Sequence, residues 1–370
     1  MNESFLPDPA RWASPFAGAR WLDVARRSDV LPSLGRGVLL HAGPPFEGTP
    51  PAPVRQAAVQ ALIFEGLAAD VPTAHALLAI GEARLAPAQD HGVVTPLAQV
   101  VSASMPMAVV GDGRQTAWAP LVEGPPPALR FGTLDAGALD RLRAITTLGL
   151  ERLAPLLRQQ PVALGPVIEH ALGEGDECHG RTGVANQALL AQLASLADSD
   201  RVLLAGSPGF VLTILMAAAA CQLRGRTQGI AAVGGNGLRF GLRLHGEPAW
   251  HSVPATPPQG LRLPGHAATT ALGAIGDSAV LDFCGLGGQA LAAAPALCDE
   301  WRAVLPADLP QRRAAVVDEA SGVVDPARAA HHRLAPLVNL AILDAAGEAG
   351  LIGRGCFAPD LALFDTAAAP

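Results

Sequence analysis

Lysine is missing from this chain, and all 26 basic side chains are arginine. A Schiff base to a carbonyl substrate, a P-loop lysine on phosphate and a lysine general base each need an amine that no residue here supplies. Any anion must be held by Arg, by His or by backbone N–H groups. Tyrosine is missing as well, aromatics make up 4% of the residues and charged residues only 16%. Cys178, Cys221, Cys284, Cys298 and Cys356 are odd in number, widely spaced and without a C-x-x-C pair. That is the pattern of reduced thiols, not of a disulfide framework. A net charge of −7 goes against the basic stripe of a nucleic-acid binder. The most apolar run, 202–223, is broken by Ser207-Pro208-Gly209 and falls short of the ~20 uninterrupted residues of a membrane helix. Residues 1–27 have polar breaks and prolines where a secretory signal has its apolar core. The expected setting is the cytoplasm, with neither a membrane nor a nucleic acid as partner.

What is present is a half-apolar chain of 370 residues, long enough for two or three domains with sizeable cores. The pattern predicts a mixed α/β (α+β) fold. An N-terminal α/β domain is expected over 1–135, opening with an arm anchored by Trp12, Phe16 and Trp21. A small, mostly helical domain follows over 136–200, and a C-terminal α/β domain with a helical tail over 201–370. Within these, strands are expected at 38–40, 107–110, 230–233, 238–244 and 279–283, and at the start of the 202–223 run. Helices are expected at 54–65, 73–81, 139–157, 166–172, 186–196, 212–223, 289–297 and 336–347.

The densest chemistry is Gly175-Asp176-Glu177-Cys178-His179-Gly180-Arg181-Thr182. If this stretch is helical, Asp176 and His179 share one face. The plainer alternative is a helix cap in which Asp176 accepts from backbone N–H groups. His41 ends a short apolar run before Gly43-Pro44-Pro45, where a turn presents it to a cleft or buries it as a structural residue. Asp90-His91 lies in an expected loop and pairs a carboxylate with an imidazole. Ser102 and Ser104 offer hydroxyls. Asn236 and Arg239 follow two glycines, where Asn236-Gly237 also reads as a hairpin turn. Asp277-Ser278 precedes the turn Gly285-Leu286-Gly287-Gly288. Neither glycine cluster fits a dinucleotide or P-loop fingerprint.

Leu40-His41-Ala42-Gly43-Pro44-Pro45, Glu65-Gly66-Leu67-Ala68, Ser104-Met105-Pro106, Gly175 through Arg181, Asn236 through Gly241, Gly276 through Ala279 and Gly350-Leu351-Ile352-Gly353 follow one another in an order that resembles the YlbE-like family. That family includes the AllG-type subunit of oxamate carbamoyltransferase. The resemblance spans about 20–365 and implies a cytoplasmic subunit working with an FdrA-like subunit and a third carbamoyltransferase subunit in allantoin and purine nitrogen breakdown. It implies conversion of oxalurate and phosphate to oxamate and carbamoyl phosphate.

Such chemistry asks for a proton donor to the leaving nitrogen, oxyanion stabilisation and a grip on two anionic partners. The candidates for catalysis are His179, Asp176, Glu177, His41 and His91. Those for binding a small anionic ureido or amide substrate and phosphate are Arg181, Asn236, Arg239, Gly43, Ser104, Asp277, Ser278 and Gly287. No metal and no cofactor is expected, and a homodimer stays open. The alternatives are a non-catalytic scaffold in an FdrA-type complex, or a metal-dependent amide hydrolase built on Asp176, His179 and His91.

Overall fold

The computed structural model describes residues 8–367. At its centre lies the helix Phe210–Arg224, buried along most of its length. Leu, Met and four successive alanines favour the helix, and Arg224 closes its last turn, where a cation complements the helix dipole. The short side chains of Ala217 to Ala220 let sheets approach closely. The strands Pro106–Gly111 and Thr116–Pro120 pack on it, and so does Ile230–Asn236.

The first sheet is antiparallel, in the order Thr116–Pro120, Pro106–Gly111, Arg20–Arg26, Val162–Ala163. A bulge interrupts it between Trp21 and Asp23. The second has the order Ile275–Gly276, Ile230–Asn236, Arg239–Leu244, His251–Pro254, with the expected hairpin turning at Gly237. A third pairs Gln259–Arg262, Leu351–Phe357 and Val338–Leu343. Val38–His41 and Arg84–Pro87 run parallel, joined through the helices Ala52–Phe64 and Val71–Ala79. Trp12, Phe16 and Trp21 are buried, and one continuous apolar cluster runs from Trp12 to Phe364, drawing on all three expected parts. The chain is thus mixed α/β. Among the described residues no single helix is long and apolar enough to cross a membrane.

Four local expectations are corrected. Residues 202–204 lie on the helix Asp198–Ala205, whose first turn carries Asp198 and Asp200 against the helix dipole, and Val202 and Leu203 are exposed. The 279–283 stretch is the short helix Ala279–Phe283. Between 289 and 297 two 3₁₀ turns precede the helix Pro295–Glu300, where a proline at the first position starts a new helix. The expected helix at 336–347 is the strand Val338–Leu343. Its residues are buried on both faces almost throughout, so it reads as one apolar run in which period 2 is invisible.

Candidate active site

Residues 174–182 link the helices Gly165–Gly173 and Gly183–Gln192 without being helical, so Asp176 and His179 do not share a helix face. Asp176 is buried and accepts from the amides of Cys178 (2.9 Å), Val184 (2.8 Å) and Ala185 (3.1 Å), holding the start of the next helix. Glu177, fully buried, accepts from the amides of Gly180 and Arg181 and from Asn339 Nδ2 at 2.8 Å. Burial raises the pKa of both carboxyls, and these hydrogen bonds pull them back in part. The Cys178 thiol is pushed well above its ordinary range by burial and by Asp176 and Glu177, so it supplies no thiolate.

This anchoring fixes His179, whose Nδ1 lies 2.8 Å from Asp282 Oδ2. The other Asp282 oxygen accepts from the amides of Gly288 (2.7 Å) and Asn339 (3.0 Å). Gly287 makes that arrangement possible. Its φ is +51°, and a Cβ there would sit 2.3 Å from Asp282 Oδ1, while its amide donates to the Glu177 carbonyl. Burial opposes protonation of His179, but the Asp282 carboxylate and its hydrogen bond, with Glu177 behind, outweigh burial and raise the pKa. A carboxylate on Nδ1 fixes the tautomer and leaves Nε2 for chemistry. That nitrogen has no hydrogen-bond partner among the described residues.

His179 lines a cavity of about 110 Å³ together with Ser278, Arg130, Leu97, Thr213 and Trp301. A water needs roughly 10–15 Å³ on this measure, so the space suits a small molecule of a few heavy atoms. Arg130 pairs with the buried Glu123 at 3.4 Å and donates to the Gly124 carbonyl. Burial lowers the arginine's pKa and raises the glutamate's, each offset in part by the other. Arg354 also lines the cavity, paired with Glu300.

The remaining sequence candidates fall into other places. His41 is buried with Nδ1 2.8 Å from the Ala42 carbonyl and its ring on Phe46, and desolvation lowers its pKa to about 4. Asp277 ties three segments together. It accepts from the amides of Gly43 and Thr95 (both 2.9 Å) and from Gln89 Nε2 (2.6 Å). Gly43, at φ +73°, passes so close to the second sheet that a Cβ would meet Gly235 C at 2.4 Å. Asn236 holds its own turn through the Leu238 and Arg239 amides and reaches the Pro44 carbonyl. Arg239 is engaged by Ser252, and Ser104 by Glu65. Arg181 is exposed, its amide donates to Glu177, and its charge acts on Asp176. His91 ends a 3₁₀ turn, and its pKa is lowered chiefly by burial.

His179 and Ser278 therefore share the cavity, with Gly287 and Glu177 supporting it from behind, while Arg181, His91, Ser104 and Arg239 are not among its lining residues. The metal-dependent alternative has no donor set: among the described residues no group of three or more His, Cys, Asp or Glu is placed to hold a metal ion. Sequence reasoning missed Asp282, Arg130 and Asn339. The one available signal was a carboxylate inside the apolar run Ala279-Val280-Leu281-Asp282-Phe283.

Burial raises the Asp277 pKa from 3.8 to about 7, against the pull of its three donors. The folded chain therefore keeps a proton that the unfolded chain has lost between those values, and stability falls as pH rises through that window. Melting followed from pH 4 to 8 should show this decline. Asp277→Asn should flatten it while lowering stability, because an amide NH₂ would face an N–H donor; an unchanged slope in the variant would exclude Asp277 as its source.

A family model described as "Oxamate carbamoyltransferase subunit AllG" matches residues 83–278, a span that holds Arg130, His179 and Ser278. The chain is 33% identical to the oxamate carbamoyltransferase subunit AllG of Escherichia coli (strain K12), over 75% of this chain and 72% of that protein. It is 28% identical to the uncharacterized protein YahG of the same strain, over 92% and 79%. A crystal structure of a conserved protein of unknown function from Enterococcus faecalis V583 superposes with a TM-score of 0.82 at 25% identity, covering 96% of this chain and 95% of that one.

Proposed function

Because this chain belongs to the AllG family of oxamate carbamoyltransferase subunits, we propose that it carries the carbamoyl-handling site of such an enzyme, in the cavity lined by His179. The reaction is oxalurate plus phosphate to oxamate plus carbamoyl phosphate. The chain works in the cytoplasm, assembled with an FdrA-like subunit and a third subunit. The observation that carries this reading is the buried His179–Asp282 pair facing a cavity that Arg130 also lines.

The chemistry follows from the placement. Breaking the bond between the carbamoyl carbon and the amide nitrogen of oxamate requires a proton on that nitrogen, and His179 Nε2 is the group held ready to deliver it. Arg130 and Arg354, each already held by a carboxylate, bring positive charge and their remaining N–H groups to a carboxylate or phosphate, taking the place that lysine cannot fill in this chain. The low polarity of the surroundings strengthens each of these contacts.

The test is carbamoyl transfer from carbamoyl phosphate to oxamate by the assembled complex. Transfer that requires this chain is the expected result. Full transfer by the partner subunits alone would leave the chain a scaffold.

A further inference from the structure

The cavity holds a group that proton transfer alone does not use. Ser278 is buried and occupies the residue before the helix Ala279–Phe283, a position where a serine hydroxyl ordinarily caps the helix, yet it makes no such bond. Its hydroxyl has no hydrogen-bond partner among the described residues, and the residue lines the same cavity as His179. Asp282 stands one helical turn further on and holds His179. Serine, imidazole and carboxylate are thus gathered around one turn of backbone beside the cavity.

A fourth component is the backbone of Leu97. This residue also lines the cavity, its φ is +49°, and its amide N–H has no partner among the described residues. A Cβ placed on Gly276 would lie 2.9 Å from Leu97 N and 3.3 Å from Ser278 Oγ. Hydroxyl and amide therefore flank one spot that only a glycine at 276 leaves open. A nucleophile, a base oriented by a carboxylate and an N–H donor near the point of attack are the parts acyl transfer needs.

We infer that Ser278 is the covalent nucleophile of this site, taking the carbamoyl group from a ureido substrate before phosphate receives it. The inference rests on the reading of the cavity as the carbamoyl site. Ser278 Oγ bonds to the ureido carbonyl carbon while its proton passes to His179 Nε2. The carbonyl π electrons move onto oxygen, against the Leu97 amide. They return as the carbon–nitrogen bond breaks, and the leaving nitrogen takes the proton from His179 and departs as an amide. A phosphate oxygen then attacks the carbamoyl carbon of the Ser278 ester. The ester bond to Ser278 Oγ breaks, and His179 Nε2 relays to that oxygen the proton that the incoming hydrogen phosphate loses. No oxidant, reductant or further reactant is needed. Ser278 and His179 are not hydrogen-bonded to each other in this structure, and catalytic contacts of this kind tighten around bound substrate.

The test is isotope exchange between labelled phosphate and carbamoyl phosphate in the assembled complex with oxamate left out, together with peptide mass mapping of the acid-quenched chain. Exchange and a carbamoyl group mapped to Ser278 are expected. Ser278→Ala should lose both, and net transfer should fall roughly 10³-fold or more, with melting and assembly unchanged because the hydroxyl makes no bond. Net transfer without exchange, a Ser278→Ala variant within a few-fold of the parent, or a carbamoyl group mapped to another residue would overturn the nucleophile and leave the cavity's role standing. A complex with no net transfer to oxamate at all would sink the underlying reading itself. The mapping is made on the parent chain, so a poorly folding variant does not remove the test.

Discussion

Replacing His179 by Ala should lower turnover of the assembled complex by roughly 10²–10⁴-fold, the share a positioned acid–base group supplies. The loss should fall on kcat more than on KM, since the ring acts when the nitrogen leaves. The buried pairing with Asp282 makes the ring matter to stability as well as to rate. The variant leaves Asp282 fully buried with two amide donors and no imidazole, so a cost near the lower end of about 3–5 kcal/mol is expected. His179→Gln, which keeps a donor for Asp282, should recover much of the melting temperature and none of the rate. Equal recovery of both would make His179 a structural residue. The same pair shapes the pH profile. A histidine whose pKa is raised in the folded chain stabilises it fully below the unfolded value, and that contribution is lost as pH rises through the folded one.

Asp282→Asn should be nearly as damaging, by roughly 10³–10⁴-fold at neutral pH, as in other carboxylate-oriented imidazoles. The amide oxygen can keep the Gly288 and Asn339 contacts. Its NH₂ then donates to His179 Nδ1 and forces the ring proton onto Nε2, the wrong tautomer for a base. Removing the carboxylate also removes what raises the His179 pKa, so the histidine limb of the rate profile should move to lower pH. A variant with parental rate and an unmoved limb would show that Asp282 does not act on the imidazole.

That the Gly175 to Thr182 stretch would concentrate polar contacts was legible because charge is scarce in this chain and that stretch gathers it. The division of labour within it was not. Asp176 gives its oxygens to backbone amides, and Glu177 shares its own between amides and the Asn339 side chain, roles visible only once the loop closes on itself. Asp282 sits 103 positions from His179, and nothing periodic links them. The lone carboxylate in an apolar run was the available clue, and the run's shortness led to a strand assignment that would have pointed it elsewhere. Val38–His41 and Ile230–Asn236 were readable from β-branched and apolar runs ending in glycine turns. Val338–Leu343 was not, because burial on both faces erases alternation. The absence of lysine turns attention to arginine, and Arg130 and Arg354, both unremarked in the sequence, line the cavity.

The most direct measurement is ¹⁵N NMR of the histidines, with this chain alone labelled inside the assembled complex and the His179 signal assigned by its loss in His179→Gln. Adding oxamate with carbamoyl phosphate should shift the His179 Nε2 resonance, while those of His41 and His91 stay in place. A complex that turns over with the His179 signal unmoved would place the chemistry elsewhere and contradict the account.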